Sequence, residues 1–482
     1  MQHEIRDAVF HQDIQAFQDT EIDASDWEAV KELFVPDSNR QLVCTNDHHR
    51  VTRLIIDNED EFQKIPDEIG QLEFLEQLDL SESSIDELPQ SISNLTRLIE
   101  LDLSNSSLRE LPDEIGDLQN LVRLDLNMMQ MDMQGTSFTA LPDAIGRLAS
   151  LQFLDLKGSH ITELPSSIGD LRSLSKLDLS FTFNLRTLPP TLGQLLFLKY
   201  LNLHASGIRS LPSTIGQLRS LTHLNLSVTK KLCELPHEIG NLLRLQELRL
   251  KHSSVAELPE EIGNLARLER LHMARSSIKS LPQSFLRLTN LIYLDAEEFK
   301  GSLADMEYLP KNLILLDLSM TKTSELSLLP NALAKLKRLR FLELNDLSTP
   351  LRKEHRDILL EVVRRCPLLG LVGVTKYDEK GKQERQHLEM FVARNRARSR
   401  VRSPTLPIWP FVMKSSVRAY DWYQNPFLPM SSGYDEPFAI SQSDALYALL
   451  LDHLDFFLGI ARRRSEQDCD SFVEGMKRRR VK

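Results

Sequence analysis

Cysteine is sparse in this sequence, and a long uncharged apolar run is missing altogether. Cys44, Cys233, Cys366 and Cys469 stand far apart and fit no metal-ligand spacing such as CxxC. Reduced thiols are therefore expected, with neither a disulfide framework nor a metal centre. No run of 18 uncharged apolar residues occurs, and Met1-Gln2-His3-Glu4-Ile5-Arg6-Asp7 offers no apolar core for a signal peptide. A membrane span is not expected, and a cytoplasmic location is. Enzyme signatures are missing too: there is no phosphate-cradling GxxxxGKS or GxxxxGKT, no GxSxG, no HExxH and no set of kinase motifs. The chain is expected to be no enzyme and to need no cofactor.

What the sequence holds in abundance is one phrase, repeated from Leu75 to Leu344: leucines in the order LxxLxL, a polar link, Leu-Pro, then Ile-Gly-x-Leu. The first leucine of each LxxLxL falls at Leu75, Leu98, Leu121, Leu151, Leu174, Leu198, Leu221, Leu245, Leu268, Leu291, Leu313 and Leu339, after a worn copy at Val51-Leu54-Ile56. The steps are mostly 23 or 24 residues, and self-similarity at that period marks leucine-rich repeats. Alternation within LxxLxL predicts a strand with one buried face, Leu151, Leu154 and Leu156 inward and Phe153 and Asp155 on the open side. Proline donates no ladder hydrogen bond, so the chain is expected to leave the sheet at Leu88-Pro89, Leu111-Pro112, Leu164-Pro165 and Leu258-Pro259. Segments such as Ile115-Gly116-Asp117-Leu118 then supply two apolar side chains to a short helical or 3₁₀ piece at the back. One coil cannot bury its own leucines, so coils must stack. The expected fold is an α/β solenoid, a leucine-rich-repeat horseshoe of about 13 repeats with a concave parallel β-sheet, a helical N-terminal cap and a partly helical C-terminal tail.

From residue 51 to about 346 the pattern resembles the leucine-rich repeats of intracellular Ras-group scaffold proteins and of plant disease-resistance proteins, both rich in LPxxIGxLxxLxxLxLxxxxIxxLP. The resemblance implies a binding scaffold and leaves its partner open. Where that family usually carries Asn after LxxLxLxx, this chain has Ser83, Ser106, Ser159, Thr182, Ser206, Thr229, Ser253, Ser276 and Thr321. A hydroxyl donates one hydrogen bond, so these residues are expected to hold the turns.

Four regions are expected. Residues 1–50 form a cap with helices over Glu4 to Phe17 and Asp26 to Phe34, the second opened by Ser25. The array occupies 51–346, and a cap and polar linker 347–393, its helix Glu354 to Arg365 burying Ile358, Leu359, Val362 and Val363. A basic and aromatic region, 394–482, carries an amphipathic helix near 444–464. The array's largest irregularity is the 30-residue step from Leu121 to Leu151, which adds Asn127 to Gly135 with its methionines Met128, Met129, Met131 and Met133. This is read first as a tolerated insertion and second as an adaptable contact surface. Residues 350–482 hold 24 Lys and Arg against 17 Asp and Glu, net +7, leaving −18 for the rest. The basic groups Arg462, Arg463, Arg464 and Lys477, Arg478, Arg479, Arg480, Lys482 have the spacing of a bipartite nuclear-import signal, so a nuclear location stays open beside the cytoplasmic one. The acidic body disfavours nucleic acid as a partner.

Function is expected on the open face of the sheet. Counting from the register, one column runs Asp79, Asp102, Asp125, Asp155, Asp178, Asn202, Asn225, Arg249, His272, Asp295, Asp317, Glu343, acidic at its ends only. Its neighbour two places earlier runs Arg123, Phe153, Lys176, Tyr200, His223, Glu247, Arg270, Tyr293. Together His204, His223, Arg249, Lys251, His252, Arg270, His272 and Arg275 form a basic cluster flanked by Phe153, Phe181, Tyr200 and Tyr293. A cationic patch with aromatic neighbours suits a protein partner, an acidic or phosphorylated segment or a small GTPase. A non-enzymatic interaction scaffold in intracellular signalling is the leading expectation. A defence-type sensor of ligands or effectors, or a nuclear adaptor acting through the basic tail, is the alternative. With no nucleotide-binding switch domain ahead of the array, a complete disease-resistance receptor is not expected.

Overall fold

The structure is a computed structural model of the chain and describes residues 22–23, 25–26, 29–30, 41–46, 48–56, 63–128, 138–345, 353–369 and 371–373. The basic arm, the aromatic stretch, the helix near 444–464, the import-like groups, the helix over Glu4 to Phe17 and Met129, Met131 and Met133 all lie outside the described residues. One sheet of fifteen strands runs in chain order. Its members are β1 (Gln41–Thr45), β2 (Val51–Ile56), β3 (Gln77–Asp79), β4 (Glu100–Asp102), β5 (Arg123–Asp125), β6 (Phe153–Asp155), β7 (Lys176–Asp178) and β8 (Tyr200–Asn202). They continue with β9 (His223–Asn225), β10 (Glu247–Arg249), β11 (Arg270–His272), β12 (Tyr293–Asp295), β13 (Leu315–Asp317), β14 (Phe341–Glu343) and β15 (Leu371–Gly373). From β2 onward every pairing is parallel, and β1 is antiparallel to β2. The expected solenoid is present, and its leucines are inside: Leu151, Leu154 and Leu156 are buried while Phe153 and Asp155 stay partly exposed.

The sheet extends beyond the repeat phrase at both ends. β1 falls within the expected cap of residues 1–50 but beyond its two expected helices, so that region contributes a strand as well. Ser25, Asp26, Ala29 and Val30 are helical, and Asp26 is tied to the first parallel strand: its carboxylate accepts from Val51 N–H at 2.7 Å and from the Arg50 guanidinium at 2.8 Å. At the other end α1 (Leu329–Ala332) packs beside α2 (Lys353–Arg365). Leu359, Val362 and Val363 of α2 are buried, and Ile358 is partly so. Met273 and Ala296, which replace inward leucines, keep the buried position.

Leu-Pro does a different job from the one expected. The chain has already left the sheet at Asp79, and Pro89 instead precedes a 3₁₀ helix, Gln90–Asn94. Its carbonyl accepts from Ile92 N–H at 3.1 Å. Proline's fixed φ suits that position, where no N–H is needed. The Ile-Gly pair closes this back layer. A Cβ on Gly263 would meet the Ser284 carbonyl oxygen at 2.4 Å and Ser284 Cβ at 2.6 Å, and Gly116, Gly169 and Gly240 face the next coil in the same way. Since the obstacle is backbone, Gly263→Ala is expected to cost about 1–3 kcal/mol of stability. An unchanged denaturation midpoint would show that the coils can spread there freely.

Past β3, β4 and β7 to β13 the chain turns through a left-handed residue: Glu82, Asn105, Phe181, Ala205, Val228, His252, Arg275, Glu298 and Met320 all have φ between 52° and 62°. Where Ser or Thr follows the turn residue, its hydroxyl can reach back to the carbonyl three residues earlier, as in Ser83 to Leu80 (2.6 Å), Ser159 to Leu156 (2.7 Å), Thr182 to Leu179 (2.6 Å) and Thr229 to Leu226 (2.6 Å). Of the expected hydroxyl set, Ser83, Ser106, Ser159, Thr182, Thr229 and Thr321 thus close their turns internally. Among the described residues, the Ser206 and Ser253 hydroxyls are buried without such a bond. Val228, β-branched at φ 62°, is strained there. Val228→Asn is expected to raise stability by about 1 kcal/mol, read as a higher thermal midpoint. The insertion leaves this scheme intact: Met128 is buried, its N–H donates to Lys157 at 2.8 Å, and β5 pairs with β6 in register.

Candidate functional site

Two rows of side chains stand on the open face because residues two apart on a strand share a face and neighbouring strands lie about 4.8 Å apart. In the first row His223, Glu247, Arg270 and Tyr293 are partners across β9 to β12, and in the second Asn225, Arg249, His272 and Asp295. The register therefore surrounds Glu247 with His223 and Arg270 to either side, Arg249 ahead on its own strand and His272 diagonally.

Glu247, only 5% exposed, is the hub. Its carboxylate takes the Arg249 Nε–H and both Nε–H and a terminal N–H of Arg270, the latter two at 2.9 Å. His272 Nε2 lies 3.4 Å away and His223 Nε2 3.9 Å. Burial opposes ionisation, but the His272 contact and the charges of Arg249 and Arg270 win, holding the carboxyl well below its ordinary range. A second buried carboxylate, Asp295, binds Lys251 Nζ at 2.7 Å and faces His272 Nδ1 at 3.8 Å. Burial is again overcome, by His272 and Lys251, and Asp295 is held at about 2. Arg275, on its left-handed turn residue, grips Glu297 at 2.7 Å.

The basic cluster expected from sequence is thus assembled, with a different electrostatic character. Arg249, Arg270, Lys251 and Arg275 are held by acids, so the surface is a network of ion pairs and not a bare cationic patch. Two of its imidazoles are neutral at physiological pH. Burial, aided by Arg249 and Lys157, takes His204 down to about 4, and burial, opposed by Glu247, takes His223 to about 4. His252 is also lowered, by burial and Lys230. Tyr200 stacks on His223 with centroids 4.5 Å apart, Tyr293 leans on His272 at 4.9 Å, and Phe181 meets His204 edge-on at 5.0 Å. Phe153 stands apart from the cluster, under the Arg123 guanidinium at 5.1 Å.

Glu247 and Asp295 were not singled out from sequence, although both stand in the columns. The signal was there: Glu247 is the one acid in its column between Lys176 and Tyr293. The second column also has a local purpose. Asp79, Asp102, Asp125, Asp155, Asp178, Asn202, Asn225, Asp295 and Asp317 each accept the backbone N–H two residues on, at 2.8 to 3.3 Å. Such Asx bonds favour the turn. Arg249 and His272 cannot make one, so the repeat gives up its own turn chemistry at the two places that face Glu247. Departures of this kind from a local rule are a mark of functional sites.

The acids of β4 to β7 show the reverse electrostatics. Asp102, Asp125, Asp155 and Asp178 adjoin one another across the ladder. Burial and the neighbouring carboxylates push Asp125 to about 7 and Asp155 well above the usual range. Burial likewise raises Asp178. Among the described residues no group of three or more His, Cys, Asp and Glu side chains is placed to hold a metal ion, and no helix is long and apolar enough to cross a membrane.

A leucine-rich-repeat protein of Leptospira interrogans is 29% identical, with a TM-score of 0.48, 66% of this chain and 82% of that one being covered. An internalin of Listeria monocytogenes is 18% identical, TM-score 0.43, over 73% of this chain and 91% of its own. The TLR13–ssRNA13 complex superposes with a TM-score of 0.51 at 24% identity, over 65% of this chain and 50% of that one. No curated protein sequence matches. The family described as the leucine-rich repeat region matches residues 53–134, 176–253 and 234–417. With that share of its length matched and the stacked parallel strands it encodes, the chain belongs to the leucine-rich-repeat family.

Proposed function

We propose that the chain is a non-enzymatic scaffold that binds a protein partner across β8 to β12, with an acidic or phosphorylated segment of that partner meeting the Glu247 network. Leucine-rich-repeat proteins are in general modules for protein interaction, their stacked strands offering an extended concave surface. The observation that carries the reading is the buried Glu247 holding Arg249, Arg270 and His272. Glu247 takes Arg249 through its Nε and so orients that guanidinium, while the side chain stays about a quarter exposed and leaves its terminal nitrogens for a partner. A fork already ordered loses little freedom when it takes a carboxylate or phosphate. Tyr200, Phe181 and Tyr293 add rigid apolar area around it. This reading extends the resemblance to Ras-group scaffolds, for which a small GTPase or a phosphorylated signalling protein is the candidate partner.

The test is affinity capture from native lysate with the full chain beside Arg249→Gln/Arg275→Gln, read by mass spectrometry. Gln can still donate to Glu247, and Arg270 remains its counter-charge; Arg275 gives up an exposed pair with Glu297, which contributes little to stability, so the fold is kept. A partner retained by the parent chain and lost by at least about tenfold with the variant supports the site. Equal capture by both sinks it.

A further inference from the structure

A second surface lies off the concave face, in the two-residue turn between each 3₁₀ segment and the next strand. These turns stack coil on coil: Ser173 Oγ donates to Ala149 O at 2.7 Å, and Asn290 Nδ2 to Ala266 O at 2.6 Å, each joining like positions of adjacent coils. Their side chains form a ridge. Leu196 and Phe197 are 52% and 62% exposed, and Leu243, two coils on, is 58% exposed. Between and beside them stand Arg172, Arg219, Arg244 and Arg267, all exposed. Among the described residues none of the four makes an ion pair, and from Ala149 to Asn290 no turn position carries a carboxylate. In a chain of net charge −11, a row of unpaired guanidiniums around large exposed apolar side chains is a local reversal of sign.

We propose that this ridge docks on an anionic lipid surface. Three features select that occupant. The apolar side chains sit at turn tips and stand out from the protein, so they suit a surface that yields to them, whereas a folded partner would have to supply matching recesses. The guanidiniums carry no internal counter-charge, in contrast to those held by Glu247, and complement phosphate and carboxylate headgroups. The turns stack coil on coil, so Arg172 to Arg267 stand in one row along an edge of the array and can meet one lipid surface together. Leu196, Phe197 and Leu243 would enter the boundary between headgroups and acyl chains, as the apolar face of an interfacial helix does. The concave face would then remain open beside the membrane.

The experiment is sedimentation of the full chain with phosphatidylcholine vesicles made with or without phosphatidylserine. The parent protein is expected to bind the phosphatidylserine vesicles and to be released by salt. Leu196→Ser/Phe197→Ser, and separately Arg219→Gln/Arg244→Gln/Arg267→Gln, are each expected to weaken partition by about tenfold or more. These side chains are exposed, so thermal midpoints should not move. Phe197→Trp gives a direct readout, a blue shift and quenching by brominated lipid on binding. Failure of the parent chain to bind, or equal binding by the variants, overturns the proposal, the second outcome assigning vesicle binding to the basic residues after 393. Binding of an acidic amphipathic peptide at the ridge with no response to vesicles also overturns it and makes the ridge a protein surface.

Discussion

Glu247→Leu is expected to destabilise the array by about 3–5 kcal/mol. The substitution removes the one carboxylate that Arg249 and Arg270 share, leaving the Arg249 guanidinium on a half-dry face without a counter-charge and Arg270 with only Glu269 at 3.9 Å. The cost arises from the orphaned cations more than from the lost bonds, since a buried pair and a packed apolar pair of similar volume are often nearly equal in stability. Glu247→Leu combined with Arg270→Leu should therefore recover part of the loss, since one of the two cations is removed with its partner. Chemical denaturation followed by circular dichroism separates the three chains. If Glu247→Leu unfolds within about 0.5 kcal/mol of the parent chain, the network is a loose surface arrangement and the hub assigned to Glu247 is wrong.

Asp125→Asn should act in the opposite direction, stabilising the array at pH 8 by on the order of 2–4 kcal/mol. In the folded chain Asp125 is raised from 3.8 to about 7 by burial and by Asp102, with Arg123 pulling the other way. A carboxyl with a raised folded pKa stabilises fully below its unfolded value, and that contribution is lost as pH climbs through the folded one. Stability should therefore rise as pH falls from about 8.5 to 6.5, with Asp155 and Asp317, the latter also at about 7, adding to the trend. Below the ordinary histidine range His204 and His223 oppose it. Their folded values near 4 mean that the unfolded chain takes up those protons first. The thermal midpoint should then flatten or turn over toward pH 4. Asn suits the site, since Asn202 and Asn225 hold the same place in later coils and make the same bond to the N–H two residues on. A variant no more stable than the parent chain at pH 8, with a midpoint that changes with pH to the same extent, would contradict the assignment.

The inward half of this molecule was legible because it is encoded position by position. Leu151, Leu154 and Leu156 declare a buried face by alternation alone, and the repeat period places each strand beside the next. The outward half depends on neighbours that lie a full coil away in sequence. Asp125 and Asp295 are the same residue in the same column, yet one is raised toward neutrality by burial and Asp102 and the other, though buried, is held ionised by His272 and Lys251. Reading the columns found the basic cluster and missed Glu247, because a single acid among cations looks like variation until its side chain is seen between two arginines. The place of Leu-Pro was misread for a related reason. Proline's missing donor fits both the end of a ladder and the start of a 3₁₀ turn, and only the coil geometry separates them. β1 escaped notice because Gln41–Thr45 lacks the repeat phrase and pairs antiparallel to β2.

The most direct measurement of the central claim is hydroxyl-radical footprinting of the full chain, free and in complex with the partner that capture identifies. Oxidation of Phe181, Tyr200, His223 and His252 on the concave face should fall on binding, while Phe197 and Leu243 on the turn ridge stay as reactive as before. Protection of the ridge with no change at Tyr200, His223 and His252 would contradict a concave site centred on Glu247.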